Sequence, residues 1–379
     1  MRIIALLSAL LALTTAALAV EAVEHPILPL GSPAPDFSLP GIDGRTYTLK
    51  DFAGAKVLVI IFTAVHCPTA QAYEERIKKL VTDYTPRGVA IVAINPNNPA
   101  GVRLDELSYS DLDDTFESMK IRAADRHFNF PFLDDGPEVV ARQYGPQATP
   151  HVFIFDAERK LRFEGRIDDS EREALIKNQD TRNAIDALLA GREPAVTHTP
   201  VFGCSTKWAE KAEANRRWLE QMHARPVSVA PADAAALAEV RANKGTGKLR
   251  VITVWATWCG PCVAEFDQLI ETSLIFNYRD FEMVTVAAEY PDQQAKVLKF
   301  LQQHHAATRN LIFGDTDQYK LIHALDPEWG GPLPHTLVID PDGNVIYRHT
   351  GELDFLELRR AIVPALNKIT PWGGLSPIK

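Results

Sequence analysis

Two of the four cysteines stand three residues apart, in Cys259-Gly-Pro-Cys262, between an apolar run and a helical pattern. Thiols at that spacing on the first turn of a helix lie on one face and can close a small ring. The first of them sits where unsatisfied amides and the helix dipole favour negative charge. That position lowers a thiol pKa and supplies thiolate near neutral pH. The chemistry it allows is exchange: Cys259 attacks a partner disulfide, a mixed disulfide forms, and Cys262 resolves it. A structural bridge and half of a zinc site are the other readings of such a pair. Zinc needs two further ligands, and the sequence has no second Cys or His pair at finger spacing. A purely structural bridge rarely sits between a buried strand and a helix.

Cys67 has a similar setting. Pro68 suits the first position of a helix, which puts Cys67 at a helix N-terminus, and a protonated His66 would lower its pKa further. Cys204, in Phe202-Gly203-Cys204-Ser-Thr-Lys-Trp208, is available as its partner, structural or redox-active. An inert buried thiol at each position is the alternative. Because soft thiolates select Cu(I), His66, Cys67 and Cys204 also allow a metal-binding reading. His151, His335 and the His304-His305 pair are expected at the surface or in loops. Asp111-Leu-Asp-Asp114 is expected to be a solvated insertion, and no cofactor is expected.

The elements that would position these thiols occur twice. Val57 to Phe62 and Leu249 to Trp255 are apolar runs, each leading to a cysteine that opens a helix. Tyr73, Ile77, Leu80, Val81 and Tyr84 recur at helical spacing in the first copy; Val263, Phe266, Leu269, Ile270 and Leu274 do so in the second. A second strand follows each helix, at Val89 to Ile94 and Phe281 to Ala287. Then Thr149-Pro150-His151-Val-Phe-Ile-Phe and Leu333-Pro334-His335-Thr-Leu-Val-Ile lead through polar turns into further strands. Closing helices are predicted near Thr181 to Leu189 and Phe355 to Asn367. This order predicts an α/β sandwich built on a mixed sheet, present twice. Pro231, Asp233 and the alanine-rich run to Asn243 read as the opening helix of the second copy.

At 379 residues the chain is long for a single core. A formal charge of −9, with no basic run to override it, argues against nucleic acid or an anionic membrane as partner, because both demand a basic surface. Met1-Arg2, the apolar stretch from Ile3 to Leu18 and Ala17-Leu18-Ala19 read as a cleaved signal peptide over 1–19. The stretch is short for a spanning helix, which needs roughly 20 apolar residues. No stable membrane insertion is expected after cleavage, and the protein is expected to be periplasmic or secreted. In an oxidising compartment a thiol is paired, protected or used.

Trp255-Ala-Thr-Trp258-Cys259-Gly-Pro-Cys262 resembles the thioredoxin active-site motif. Residues from about 231 to 368 resemble the exported thioredoxin-like reductases of cytochrome maturation and related periplasmic tasks. That resemblance implies a cis-proline at Pro334, whose neighbouring backbone pairs with the substrate chain, and a proton-handling role for Glu265. Phe266-Asp267 stands where a proline is usual, so the partner surface is expected to differ. The partners implied are protein disulfides or dithiols, with an electron donor or acceptor that the sequence does not name.

Residues from about 31 to 190, opening with Gly31-Ser-Pro-Ala-Pro-Asp-Phe-Ser-Leu, resemble the peroxiredoxin-like, or redoxin, branch of the same superfamily. A peroxidatic cysteine there follows a proline and a threonine or serine at fixed spacing, and Ile60 to His66 meets neither requirement. Between the two copies Cys67 aligns with Cys259, Ala70 with Cys262 and Pro150 with Pro334. The resemblance implies two tandem thioredoxin-fold domains, over 27–191 and 231–370, joined by a connector over 192–230. The expected function is exported thiol–disulfide exchange through Cys259 and Cys262. Hydroperoxide reduction at Cys67 with Cys204, and Cu(I) binding, are the alternatives.

Overall fold

The run Val57-Leu-Val-Ile-Ile-Phe62 is apolar at every position because both faces of its strand, β1 (Val57–Phe62), are covered. Val57, Val59 and Ile61 enter one core layer; Leu58, Ile60 and Phe62 enter the other. The computed structural model describes residues 23–372, so the expected signal peptide lies outside the described residues. Around β1 stand β2 (Val89–Asn95), β3 (Phe132–Asp134), β4 (His151–Phe155) and β5 (Leu161–Gly165), in the order β3-β2-β1-β4-β5. The first three are parallel; β4 runs antiparallel to β1, and β5 to β4. Helices α1 (Pro68–Tyr84) and α2 (Asp180–Leu189) belong to this half.

The second half repeats the plan. Its strands are β6 (Ala230–Ala232), β7 (Leu249–Trp255), β8 (Phe281–Ala287), β9 (Arg309–Phe313), β10 (His335–Ile339) and β11 (Val345–Thr350), ordered β6-β9-β8-β7-β10-β11. Without β6, this is the order of the first sheet. Pro231 does not open a helix. It lies in edge strand β6, where a missing amide forfeits no central ladder bond. The helix starts at Ala234, capped by Asp233, whose carboxylate accepts from the Ala236 amide at 2.9 Å.

The segment 192–211, expected to begin a connector, is stitched onto the first sheet before the chain reaches α3 (Ala212–His223). Glu164 of β5 bonds the backbone of Thr197 and Thr199 at 3.0 and 3.2 Å. Cys204–Ser205 then pairs antiparallel with Ala148–Thr149, and the Lys207 amide donates to Asn97 Oδ1 at 2.8 Å.

The halves also touch directly. Arg279, just before β8, donates to the Ser108 carbonyl at 2.7 Å, to Asn367 Oδ1 at 2.9 Å and to the Thr370 carbonyl at 2.5 Å. Its guanidinium lies over the Tyr109 ring, 4.0 Å from the centroid. Leu107 of the first half is buried in the core formed by α4 (Gly260–Ile275) and α5 (Phe355–Ile369). No helix among the described residues is long and apolar enough to cross a membrane.

Candidate functional site

Cys259 occupies the N-cap of α4 with extended backbone, φ −86 and ψ 106, and the Cys262 amide donates to its sulfur at 3.3 Å. The two cysteines are joined as a disulfide, with Cα atoms 5.3 Å apart. Cys262 is fully buried and Cys259 nearly so, while the neighbouring Trp258 is 66% exposed. Gly260 and Pro261 are exposed too, so the surface around the outer sulfur is open. Leu333 packs against the cluster holding both cysteines, and Leu333–Pro334 is a cis peptide.

The buried stripe of α4 differs from the predicted one. Val263 and Leu274 are only half-buried, whereas Glu265 is 4% exposed. Its Oε2 accepts from the Leu353 amide at 3.0 Å, and its Oε1 has no hydrogen-bond partner. Burial raises the Glu265 carboxyl above its ordinary value, an effect only partly offset by that amide. Such a group holds or releases a proton nearer neutral pH than a solvated glutamate.

Glu289 escaped the sequence reading. It is buried two residues beyond β8; its Oε1 accepts from the Thr257 amide at 2.6 Å and its Oε2 is unpartnered. It braces the turn that carries Trp258 and Cys259. The available signal was its place at the carboxyl end of a buried parallel strand, where open α/β sheets put their sites.

Cys67 repeats the N-cap geometry on α1, with φ −74 and ψ 115, and the Ala70 amide donates to its sulfur at 3.4 Å. The predicted equivalence with Cys259 therefore holds in the backbone. Thr149–Pro150 is cis, and the Thr149 carbonyl oxygen lies 3.3 Å from Cys67 Sγ. The structure brings Cys204 beside Cys67, and both are free thiols.

His66 is buried, with Nδ1 2.5 Å from Asp114 Oδ2. Asp114 is the correction to the solvated insertion: it is 3% exposed. Its Oδ1 accepts from the Val65 and His66 amides at 2.8 and 3.0 Å, and its Oδ2 from Asn97 Nδ2 at 2.7 Å. A carboxylate taken from water needs these partners, and no local pattern 48 residues from His66 discloses them.

Electrostatics at the first thiol follow from this arrangement. Burial opposes charge on Cys67, but a hydrogen bond from Cys204, the His66 charge and hydrogen bonds from the Thr149 side chain and the Ala70 amide bring it down to about 6. The Cys67 bond and burial push Cys204 up. Burial works against the His66 imidazolium, and Asp114 outweighs it, so its pKa rises.

Two further expectations are overturned. His151 and His335 are buried strand residues, not surface ones. His151 Nε2 lies 2.8 Å from Glu164 Oε2, and His335 Nε2 lies 3.1 Å from Asp326 Oδ2. His304 does lie nearer the surface, against Asp267 at 2.6 Å. The Cu(I) reading lacks a ligand set: among the described residues, no three His, Cys, Asp or Glu side chains form a group that could hold a metal ion.

The AhpC/TSA family model matches residues 30–164, and the Redoxin model matches residues 224–361. The thiol:disulfide interchange protein CycY of Rhizobium leguminosarum bv. viciae is 30% identical over 129 residues, covering 32% of this chain and 60% of that protein. The DsbE homolog of Paracoccus denitrificans is 29% identical over 129 residues, with the same shares. The chain thus spans about three-fifths of the length of these curated relatives. Among solved structures, a hypothetical protein of Sinorhizobium meliloti is 33% identical and has a TM-score of 0.43; the match covers 48% of this chain and 96% of that one. The chain belongs to the thioredoxin-like superfamily, with an AhpC/TSA segment followed by a redoxin segment.

Proposed function

We propose that the protein is an exported thiol–disulfide oxidoreductase whose Cys259 and Cys262 exchange disulfides with protein substrates. The observation that carries this reading is the Cys259–Cys262 disulfide at the N-terminus of α4, above a buried Glu265 carboxylate with an unpartnered oxygen. Cys259 has the exposed surround and is the sulfur that meets the partner. In the reducing direction its thiolate, favoured by the helix terminus, attacks the substrate disulfide and forms a mixed disulfide. Cys262 then attacks Cys259, the substrate thiolate leaves, and the internal disulfide returns. Cys262 is fully buried and needs a base to lose its proton; Glu265, one helical turn away, is assigned that role. Pro334 and the preceding Leu333 form the platform beside the sulfurs against which the substrate chain lies.

The signal-like residues 1–19 and the interchange activities in the relatives' names support export and protein disulfides as substrates. The test is reduction of insulin disulfides by the full chain with a dithiol reductant. Cys259→Ser is expected to abolish turnover, and Cys262→Ser to arrest the protein as a mixed disulfide. Full turnover by Cys259→Ser would move the activity away from this site.

A further inference from the structure

The exchange reaction makes no use of the first-half thiols, yet two separate chain segments converge on them. α1 presents Cys67 at its N-cap, and the connector returns to place Cys204 opposite Thr149, whose carbonyl oxygen is 3.3 Å from Cys67 Sγ. Gly203 permits the approach. Its φ is +136, and a Cβ there would stand 2.1 Å from the Thr149 oxygen. Ala70, where the second half has Cys262, leaves Cys67 without a resolving thiol on its own helix. Cys204 supplies one from the connector. Cys67 is wholly buried and Cys204 is not, so a reagent meets Cys204 first.

We propose that Cys67 and Cys204 form a second dithiol–disulfide couple, entered through Cys204, which takes two electrons from an external dithiol and releases Cys67 as a thiolate stabilised by His66 and Asp114. In the oxidised form a bond joins the two sulfurs. A donor thiolate attacks Cys204 Sγ, the Cys67–Cys204 bond breaks, and its electron pair leaves on Cys67. The second donor thiolate attacks the donor sulfur of the mixed disulfide, and Cys204 leaves. The donor departs as a disulfide, oxidised by two electrons. Of its two protons, one goes to Cys204 and one to His66, whose imidazolium is held by Asp114.

A low-pKa thiol is the better leaving group, and a stabilised reduced form makes a couple more oxidising. Cys67, lowered to about 6, meets both conditions. The charges acting around the pair are His66 and Asp114 behind Cys67, with the Lys207–Glu106 ion pair near Cys204. Nothing in this couple depends on Cys259 or Cys262.

The test uses the full chain carrying Cys259→Ser and Cys262→Ser, equilibrated in glutathione redox mixtures, with disulfides mapped by mass spectrometry. A Cys67–Cys204 disulfide is expected to form and to open with dithiothreitol. Adding His66→Gln is expected to raise the equilibrium constant for disulfide formation about tenfold, equal to about 30 mV. Absence of a Cys67–Cys204 disulfide at every ratio overturns the proposal, as does an unchanged constant in folded His66→Gln protein. Should that variant fail to fold, ultraviolet thiolate absorbance of the double-serine chain decides. A midpoint near 6 sustains the assignment; a midpoint in the ordinary thiol range ends it.

Discussion

The two halves place a cysteine at the same N-cap, facing the same cis-proline, and then diverge in what covers it. Beside Pro334, Leu333 makes no backbone hydrogen bond among the described residues, and exposed Trp258 and Pro261 border the outer sulfur. Beside Pro150, the connector already occupies the edge: Cys204 pairs with Thr149, and Ser205 with Ala148. One half keeps its edge open to another chain, while the other fills it with its own. The bracing carboxylates differ as well. Glu289 comes from the end of β8 and touches only the turn amide, whereas Asp114 comes from an insertion and also grips a histidine. A common backbone frame thus supports an open dithiol and a covered, His-assisted one.

The largest effect on this contrast is expected from Asp114→Asn. It leaves the buried His66 without its counter-charge, and breaking a buried pair costs about 3 kcal/mol. Chemical denaturation should record that loss, and thiolate absorbance should show Cys67 titrating above about 6. Next comes Gly203→Ala, which combines positive φ with a clash against the Thr149 oxygen. A cost of about 2 kcal/mol is expected, and Cys67 should alkylate faster as the connector lifts. If alkylation does not change, the covering role of residues 203–205 is wrong.

The smallest effect on stability, and one of opposite sign, is expected from Glu265→Gln. Burial raises the folded pKa of Glu265, so its stabilising contribution is full below the unfolded value of 4.5. That contribution is lost as pH rises through the raised folded value. The variant escapes the loss and should gain about 1 kcal/mol near neutrality, while exchange slows about a hundredfold. Denaturation curves at several pH values check the sign: the gain must grow as pH rises.

Legibility in the sequence followed the range of the interactions. Apolar runs, helix entries and the repeated element order predicted both sheets, because these depend on neighbours within a few residues. The equivalence of Cys67 with Cys259 came from local spacing alone. What stayed hidden was set by distant contacts: Asp114 under His66, Glu289 under Thr257, and strands as short as β3 and β6, which offer three residues each. The histidines after the two cis-prolines were misplaced for a related reason. His151 and His335 are buried because carboxylates from other segments receive them. Charge in a sequence reads as solvent exposure until its partner is known.

Arg279 gives the molecule a further property. A single guanidinium from the second half is satisfied partly by the Ser108 carbonyl of the first and partly by α5 and the residue that follows it, while Leu107 fills space beside α4. Separating the halves would strand that cation and open an apolar hole in the second core. The two halves are therefore expected to unfold together, and calorimetry checks this: one transition sustains the coupling, and two separate transitions end it.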